Sequence, residues 1–377
     1  MHNIPIWDDE PWIPLPSLEH DLETDVCVIG LGGSGLSCIT RLLELGQRVI
    51  GLDAGTVAGG AAGRNGGFLL AGLAKFYHET VRELGREHAS AAYRQTMLEI
   101  NRMTEQTPSA IRRVGSLRIA TNQHELEDCK LQMAAMQEDG LPVEWYLGLE
   151  GEGLLIETDG AFNPLTRCRI LARDVLSKGA QLFENSSVTS LSGHEVCTKN
   201  ARVRCKKVIV AIDGRLELLL PELTGRVRTA RLQMIATEPT SEVYLPRPVY
   251  ARWGYEYWQQ LPNGSLSLGG FRDAALEQEW TSSNQPTEPI QGLLEQFMRE
   301  KIGVKNAAIT HRWAASVSYS SRTLPVFQEV QENLWAIGGY SGTGNVVGAL
   351  LGRIVAELAV TGRSENAALF LESRSTN

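Results

Sequence analysis

A glycine-rich turn between two short apolar runs constrains the fold of this chain most. Residues 30–35 read Gly-Leu-Gly-Gly-Ser-Gly directly after the apolar run Val26 to Ile29, and Asp53 follows a second run at 48–52. The spacing predicts a buried parallel strand, a tight turn, a helix over residues 34–45 and a second strand ending at an acid. This arrangement is typical of dinucleotide-binding proteins, because the helix start directs backbone N–H groups at the pyrophosphate.

Each residue of the turn has its own predicted role. Gly30 permits the sharp bend, Gly32 lets the backbone approach the pyrophosphate, and Gly35 lets the helix lie close to the strand. The carboxylate of Asp53 is expected to accept both ribose hydroxyls and to repel a 2′-phosphate. The alternative interpretation is a structural turn that binds no dinucleotide.

Charge and cysteine content limit the class of protein. The formal net charge of −8 over 377 residues argues against nucleic acid or an anionic membrane as partner. The six cysteines contain no CxxC pair, so we expect reduced, structural thiols and a cytoplasmic location. Residues 1–10 are acidic and lack an apolar segment, which predicts no signal peptide. Residues 346–360 are too short and too charged to span a membrane, and no cluster with metal-ligand spacing is found.

A change of strand pattern along the chain indicates two domains. Residues 180–184 and 207–211 read as further strands of the first, parallel sheet. Residues 228–270 instead alternate strands with turns, and Asn263-Gly264 is typical of a tight hairpin. One parallel and one antiparallel sheet in the same chain imply two domains, with the chain crossing between them.

Two further glycine clusters extend the predicted ligand site. Residues 59–67 form a loop of small residues around Arg64, which suits close approach of the backbone to a ligand. Arg64 is either a phosphate contact or an ordinary surface arginine, and the loop itself is alternatively a flexible surface segment. Residues 338–345 lie between a strand and a helix over 346–358, and their amides suit the anionic charge of a reduced flavin ring. A nicotinamide enzyme does not need that second cluster.

Four segments of the chain resemble the D-amino-acid-oxidase-like superfamily of FAD-dependent amine and amino acid oxidases. They are residues 28–37 (VIGLGGSGLS), 62–67 (AGRNGG), 233–239 (QMIATEP) and 338–344 (GGYSGTG). The motifs match in order and spacing along most of the chain and are specific for FAD. The Gly-Arg-Asn-Gly-Gly loop is most similar to the γ-glutamylputrescine oxidase and glycine oxidase-like branch.

The resemblance implies an α/β fold with two interleaved domains. An FAD-binding Rossmann-like domain of the glutathione-reductase type would comprise residues 1–76, 148–220 and 320–377. An α+β substrate domain on a mostly antiparallel sheet would comprise residues 77–147 and 221–319. That sheet would cover the flavin ring of a non-covalently bound FAD, with the substrate between them.

The implied FAD contacts come from all three glycine clusters and from three further places in the chain, which are residues 53–54, Val188 and Ala211. Val188 is expected to place a backbone group against the adenine, and Ala211 follows a strand that passes near the cofactor. The predicted FAD-binding residues are Gly30, Gly32, Gly33, Ser34, Gly35, Asp53, Ala54, Gly63, Arg64, Asn65, Gly66, Gly67, Val188, Ala211, Gly339, Tyr340, Gly342, Thr343, Gly344 and Asn345.

The substrate side departs from the amino-acid-oxidising relatives. Those relatives usually carry an arginine for the substrate carboxylate after a Trp-x-Gly segment, and Val317 occupies that position here. Arg322, shortly before Leu324, matches the γ-glutamylputrescine oxidase-like branch instead. The expected substrate is therefore an amine, or an amino acid held by another arginine. The candidates for substrate contact are Tyr255, Tyr257, Arg252, Arg322, Tyr340 and Phe68.

An aromatic strand is predicted to form the substrate wall. In a strand over residues 249–259, alternation would place Tyr255 and Tyr257 on one face and Trp258 on the other. These rings suit a cationic or apolar amine, although they are alternatively the ordinary core of a sheet. Arg252 and Arg322 are the candidate carboxylate anchors. Phe68 is expected to reach the flavin edge.

The predicted reaction is the oxidation of a C–N bond. Hydride transfer to flavin N5 would leave an imine that hydrolyses, and O2 would reoxidise the flavin to give H2O2. No catalytic acid or base is assigned, and packing is the favoured role for His311. The alternatives are a flavin dehydrogenase that passes electrons to a quinone or carrier, and a dinucleotide-binding protein without catalytic activity.

Overall fold

The computed structural model describes residues 3–9 and 11–371. The helices are α1 Gly33–Glu44, α2 Tyr77–Leu84, α3 Arg86–Gln106, α4 Gln123–Glu138, α5 Pro164–Ser177, α6 Leu216–Leu219, α7 Leu276–Glu279, α8 Glu288–Phe297 and α9 Gly344–Thr361. The strands are β1 Leu22–Glu23, β2 Val26–Ile29, β3 Val49–Leu52, β4 Phe68–Leu69, β5 Ile111–Arg112, β6 Ser116–Ala120, β7 Glu144–Gly148, β8 Gly151–Ile156, β9 Gly160–Phe162, β10 Gln181–Phe183, β11 Val188–Leu191, β12 Glu195–Thr198, β13 Arg202–Arg204, β14 Lys207–Val210, β15 Val227–Pro239, β16 Val249–Ala251, β17 Glu256–Gln260, β18 Ser265–Gly270, β19 Ile309–Ser320, β20 Val326–Gln331 and β21 Leu334–Gly338.

The chain divides into two compact units of three segments each. Unit 1 comprises Met1–Asp9, Arg64–Asn163 and Ala230–Ser316. Unit 2 comprises Glu10–Gly63, Pro164–Thr229 and Val317–Asn377.

The predicted domain segments follow the same order along the chain, but their boundaries differ from those of the units. Residues 1–9, 64–76 and 148–163, predicted in the FAD domain, lie in unit 1, and residues 221–229 and 317–319 lie in unit 2. Strand pairing explains part of this difference, because β4 pairs with β9 and β7 pairs with β8. The assignment of FAD to one unit and of substrate to the other stays a prediction.

Unit 2 is built on a six-stranded sheet in the order β10-β3-β2-β14-β21-β20. The first five strands are parallel, and β20 pairs antiparallel with β21. Strands β2, β3 and β21 are buried along their whole length, as expected for parallel strands covered on both faces. The predicted sequence of strand, turn, helix and strand over residues 26–53 is therefore confirmed.

Helix α9 packs directly against α1 within unit 2. A Cβ on Gly352 would lie 2.2 Å from the carbonyl oxygen of Ser34, and one on Gly348 would lie 2.4 Å from Ser34 Oγ. Glycine at these positions therefore lets the two helices approach closely. By length and hydropathy α9 also satisfies the criteria for a membrane span, and 61% of it is buried inside the structure, as in the core helix of a globular unit.

Unit 1 contributes most of an eight-stranded sheet in the order β19-β15-β18-β17-β16-β6-β8-β7. From β15 to β7 neighbouring strands pair antiparallel, except β16 and β6, which are parallel. The hairpin from β17 to β18 turns through Asn263-Gly264. The predicted α/β fold with a second, mostly antiparallel sheet is confirmed.

The predicted strand over residues 249–259 is wrong, because a turn divides it. Strand β16 ends at Ala251 and β17 begins at Glu256. Between them Arg252 and Trp253 have φ angles of 48° and 56°, a left-handed conformation that no strand accommodates. Tyr255 therefore lies in the turn, and the alternation predicted for it does not apply.

Candidate functional site

The first glycine turn follows β2 in unit 2 and leads into α1. Gly30 has a φ of 103°, and a Cβ there would lie 2.6 Å from the carbonyl oxygen of Ala211. A Cβ on Gly35 would lie 1.8 Å from the carbonyl oxygen of Gly30. The packing of the backbone therefore requires glycine at both positions.

Gly33, in contrast, has open space in front of it. The nearest atom that a Cβ there would meet is Nη1 of Arg167, at 3.8 Å. Helix α1 begins at Gly33 without a side-chain cap, so its first-turn N–H groups have no partner inside the helix. This uncapped, positively polarised helix start suits a pyrophosphate. Arg167, which is 1% exposed, adds a buried guanidinium that the sequence analysis missed.

Asp53 lies directly after β3, beside the same turn. Its Oδ2 accepts the backbone N–H of Leu31 and its Oδ1 accepts that of Gly55, both at 2.8 Å. Burial raises the pKa of Asp53, and the two backbone hydrogen bonds oppose that shift. A carboxylate offers about four lone-pair positions, so both oxygens keep capacity for the predicted ribose hydroxyls. Ala54 lies in the bend between Asp53 and Gly55.

Asp213 holds the third glycine turn in place, a role that the sequence analysis missed. Its Oδ1 accepts the backbone N–H groups of Gly339 at 3.0 Å and Tyr340 at 3.2 Å, and its Oδ2 accepts that of Ser318 at 3.2 Å. Burial raises the pKa of this carboxyl to about 6. Its partners lie 105 to 127 positions away in the sequence, so no local pattern marks Asp213.

The third glycine turn leads into a second uncapped helix start. Gly342 has a φ of 94°, and Thr343 Oγ1 donates to the carbonyl oxygen of Tyr340 at 2.8 Å. Helix α9 begins at Gly344, with Asn345 in its first turn and no side-chain cap. Like α1, α9 therefore presents backbone N–H groups at its start.

The side chain of Tyr340 is turned into the interior of unit 2. Its hydroxyl is 3.0 Å from Ser34 Oγ, and the residue is 4% exposed. Cβ atoms on Gly344 and Gly348 would lie 2.8 Å and 3.3 Å from its ring. The ring therefore links α1 to α9, and this burial argues against the substrate contact predicted for it.

The second glycine cluster ends unit 2 at Gly63 and continues in unit 1 with Arg64. A Cβ on Gly63 would lie 2.4 Å from the carbonyl oxygen of Ala58. Arg64 donates from Nε to the carbonyl oxygen of Ala314 at 2.8 Å and from Nη2 to that of Asn3 at 2.9 Å. Burial lowers the pKa of Arg64. Because these acceptors are neutral, a phosphate contact of the guanidinium stays a prediction.

Gln259 fixes the end of this loop inside unit 1. Its Nε2 donates to the carbonyl oxygens of Gly66 at 2.5 Å and Gly67 at 3.1 Å. Asn65 Oδ1 accepts the backbone N–H of Gly67 at 2.8 Å, and Trp7 Nε1 donates to the carbonyl oxygen of Asn65 at 2.7 Å. Side chains distant in sequence therefore shape the loop, and no motif around Gln259 indicated this role.

Phe68 and Tyr257 form an aromatic pair beside that loop. Their ring centroids are 6.0 Å apart and the ring planes meet at 83°, an edge-to-face geometry. Cβ atoms on Gly66 and Gly269 would lie 3.0 Å and 2.4 Å from the Tyr257 ring. The structure thus brings together two of the predicted substrate residues and the glycine loop within unit 1.

The ion pairs of Arg252 argue against the substrate carboxylate predicted for it, and that role stays a prediction. Its Nε and Nη2 donate to the carboxylate of Glu256 at 2.5 and 2.6 Å, and its Nη1 and Nη2 donate to that of Asp273 at 3.0 and 2.9 Å. Two carboxylates therefore use four of the five guanidinium N–H groups. Tyr255 is half-buried beneath this guanidinium, with Arg252 Cζ 5.6 Å from its ring centroid.

The remaining predicted residues lie in unit 2. Arg322 is exposed after β19, and its backbone N–H donates to Ser320 Oγ at 3.0 Å. Val188 begins β11 and is half-buried. Ala211 follows β14 and donates to the carbonyl oxygen of Ile29 at 2.8 Å. Val317 is 8% exposed. The substrate role of Arg322 and the adenine contact of Val188 stay predictions.

The donors of unit 2 fit an FAD. An open glycine position, two uncapped helix starts and a carboxylate with spare acceptor capacity supply what a pyrophosphate, a ribose and an anionic ring require. Among the residues that the structure describes, no group of three or more His, Cys, Asp or Glu side chains is arranged to hold a metal ion.

A family model described as FAD dependent oxidoreductase matches residues 25–358. The chain is 25% identical over 377 residues to the gamma-glutamylputrescine oxidoreductase of Escherichia coli, covering 92% of this chain and 86% of the relative. It is also 25% identical over 386 residues to the probable oxidoreductase OrdL of Haemophilus influenzae, covering 95% of this chain and 86% of that protein.

The fold is similar to that of glycine oxidase from Geobacillus kaustophilus. The TM-score is 0.78 at 19% sequence identity, over 94% of this chain and 100% of that structure. The predicted resemblance to D-amino-acid-oxidase-like flavoproteins, and to their γ-glutamylputrescine and glycine oxidase branch, is confirmed.

Proposed function

The chain belongs to the FAD dependent oxidoreductase family, with FAD as its cofactor, and we propose that it oxidises the C–N bond of a small amine. When bound, FAD supplies the hydride acceptor for the carbon that carries the amine. The substrate loses two electrons and two protons, and water hydrolyses the resulting imine to a carbonyl compound and ammonia. We propose O2 as the final acceptor, with H2O2 as product.

The open space in front of Gly33 is the observation that best supports binding of the cofactor phosphates at this turn. Gly30 and Gly35 are explained by contacts within unit 2. Gly33 is not, because the nearest atom beyond its chain neighbours and its own helix backbone would lie 3.8 Å from its Cβ position. A glycine without a packing role at an uncapped helix start supports close approach of a phosphate.

The aromatic pair in unit 1 supports an amine as substrate. The edge-to-face rings of Phe68 and Tyr257 offer an apolar surface with a negative ring face, which attracts an ammonium group and excludes water. Val317, where amino-acid-oxidising relatives carry the carboxylate-binding arginine, adds no charge. The E. coli relative is named for gamma-glutamylputrescine, which agrees with an amine substrate.

His311 is not assigned a catalytic role. Its Nδ1 lies 2.8 Å from Thr310 Oγ1, and burial lowers the pKa of the ring, so the imidazole is mainly neutral at neutral pH. We propose that the substrate ammonium loses its proton to solvent before oxidation. We also propose a cytoplasmic location, which the six free thiols support.

The test is an anaerobic screen of the yellow holoenzyme. Polyamines, N-methyl amino acids and simple D- and L-amino acids are each added, and loss of the visible flavin absorbance is followed. We expect an amine to bleach the absorbance fastest, and admission of O2 to restore it with one H2O2 per turnover.

Three results would contradict parts of this proposal. Fastest bleaching by simple D-amino acids would refute the inference from Val317. Recovery of absorbance with a quinone but not with O2 would indicate a dehydrogenase. A colourless protein that binds NAD would refute the flavin assignment altogether.

A further inference from the structure

We propose that Arg118 anchors a carboxylate of the substrate at a cavity in unit 1. The inference rests on the proposed function and specifies its substrate as an amine that carries an acidic group several bonds from the reacting carbon. The cavity lies on the sheet beside α2, α3 and α4. Its walls include Gly72, Lys75, Tyr77, Tyr93, Arg118 and Tyr250.

The guanidinium of Arg118 is held rigidly by neutral groups. Its Nε donates to the hydroxyl of Tyr250 at 2.7 Å, Nη2 donates to the same hydroxyl, and Nη1 donates to Gln132 Oε1 at 2.8 Å. Its Cζ lies 3.9 Å from the ring centroid of Phe76 and 4.6 Å from that of Tyr250. These contacts fix the orientation of the guanidinium, and because the partners are neutral its positive charge is not compensated by them.

Donors therefore remain available on Arg118. A guanidinium has about five N–H donors, and three are used by Tyr250 and Gln132. Within the described part of the chain no carboxylate lies within 4.0 Å of it. Two other arginines of unit 1 differ in this respect, because Arg231 is paired with Glu279 at 2.7 Å and Arg312 with Glu295 at 2.7 Å. A half-buried, preorganised cation of this kind suits a carboxylate ligand.

Tyr93 supplies a second, independent observation. Its hydroxyl is buried without a hydrogen-bond partner among the described residues, and the residue is 5% exposed. Asp159, the Tyr250 hydroxyl and the charge of Arg118 act on it electrostatically. A buried hydroxyl without a partner is costly, and a ligand carboxylate between Tyr93 and Arg118 would accept a hydrogen bond from it.

Asp159, an acid that acts electrostatically on both Tyr93 and Arg118, is satisfied by other groups. Asp159 accepts the backbone N–H of Ala71 at 2.9 Å and the hydroxyl of Ser116 at 2.7 Å. Burial raises the pKa of Asp159 to about 7, so near neutral pH it is not fully charged. Asp159 is therefore a weak counter-charge for Arg118.

Strand register places Arg118 two strands away from Tyr257 of the aromatic pair. Arg118 on β6 is the partner of Tyr250 on β16, and Tyr250 is the partner of Tyr257 on β17. Directly paired residues project from the same face of a sheet. Two strand spacings separate Arg118 from Tyr257, on the order of 10 Å. An amine beside Tyr257 and a carboxylate at Arg118 would therefore belong to one elongated molecule.

The test compares ε-aminocaproate with hexylamine, which has the same chain length but no carboxylate. We expect the wild-type holoenzyme to have the higher kcat/KM for ε-aminocaproate. Arg118→Gln should reduce that preference roughly 10- to 100-fold, mainly through KM, and leave hexylamine little changed. Equal losses for both amines, or no preference in the wild type, would overturn the proposal.

A binding experiment separates this inference from the proposed function, because it needs no turnover. Caproate is titrated into the holoenzyme by calorimetry. If no compound of the amine screen bleaches the flavin absorbance, the proposed function fails, whereas caproate binding lost in Arg118→Gln still supports the anchor.

Two further variants allow the proposal to be tested even if Arg118→Gln does not fold. Tyr93→Phe removes a hydroxyl that no described residue uses, so it should keep the melting temperature and weaken caproate binding roughly 2- to 10-fold. Arg113→Gln is the matched control, because its exposed side chain bonds Asn101 and Thr158 and does not line the cavity. Caproate binding that is unchanged in both Arg118→Gln and Tyr93→Phe would overturn the proposal.

Discussion

The two units build their candidate sites from different parts of the polypeptide. In unit 2 the contacts are backbone groups at the uncapped starts of α1 and α9, shaped by glycines whose Cβ atoms would collide with carbonyl oxygens. In unit 1 the contacts are made by side chains, such as Arg118 with Tyr250 on the neighbouring strand and Gln259 with the backbone carbonyl oxygen of Gly66. At the glycines of unit 2 whose Cβ atoms would collide, a larger residue cannot be accommodated without moving the backbone. In unit 1, by contrast, each hydrogen-bonding side chain can be replaced separately.

The largest effect is expected from breaking a buried network in unit 1. Arg231 donates to both oxygens of Glu279 at 2.9 and 2.7 Å, and the two side chains are 9% and 1% exposed. Arg231→Met leaves a buried carboxylate that has lost its counter-charge and keeps, among the described residues, only the hydrogen bonds from Gln233 Nε2. It should cost about 3–5 kcal/mol in the free energy of unfolding, measured with urea.

The double variant Arg231→Met, Glu279→Leu is the control for this network. It should recover most of the lost stability, because neither charge then remains buried. A single variant as stable as the wild type would show that unit 1 does not depend on the pair.

Two glycines of unit 2 distinguish packing from cofactor binding. Gly35→Ala forces a Cβ to 1.8 Å from the carbonyl oxygen of Gly30, and should cost about 1–3 kcal/mol or more. Gly33→Ala meets nothing within 3.8 Å, so stability should change by less than about 0.5 kcal/mol while bound FAD is lost. The ratio of visible to ultraviolet absorbance measures the bound FAD. Full FAD occupancy in Gly33→Ala would refute the cofactor role of that position.

Buried acids in the two units predict a pH dependence of stability. Burial raises the pKa of Asp159 to about 7 and that of Asp213 to about 6, above the unfolded value of 3.8. The folded protein therefore binds protons that the unfolded chain releases, and stability falls as pH rises from about 4 towards these pKa values. Each acid contributes at most about 1.4 kcal/mol per pH unit.

Asp159→Asn tests this dependence in unit 1 by urea unfolding across that pH range. The difference in stability between wild type and variant should change steadily up to about pH 7 and then level off. A difference that is independent of pH would show that Asp159 is charged in the folded state throughout.

The smallest effect is expected at Tyr340. Tyr340→Phe removes the hydrogen bond to Ser34 Oγ and should cost about 0.5–1.5 kcal/mol, seen as a lower melting temperature. The kcat/KM ratio between different amines should stay the same, because the ring is turned into unit 2. An altered ratio would restore the substrate role that the sequence predicted.

The parts of the fold that the sequence predicts correctly are each encoded by residues that lie close together along the chain. Residues 26–53 encode strand, turn, helix and strand through adjacent apolar runs and glycines, and the structure has them in that order. The Asn263-Gly264 dipeptide likewise predicts the hairpin that the structure has. The ion pairs of Arg252 were not predicted, because Glu256 lies across a turn and Asp273 lies 21 positions away.

The cofactor class, the order of the two kinds of sheet and the glycine positions follow from the amino-acid sequence alone, because backbone conformation and close packing depend on which residues are adjacent. The pairing of side chains becomes visible only in the folded chain. The fold joins Asp213 to Gly339 over 126 positions and Arg118 to Tyr250 over 132. The physical reason is that hydrogen bonds and ion pairs act over a few ångströms in space, a distance that sheet register sets and that sequence spacing does not record.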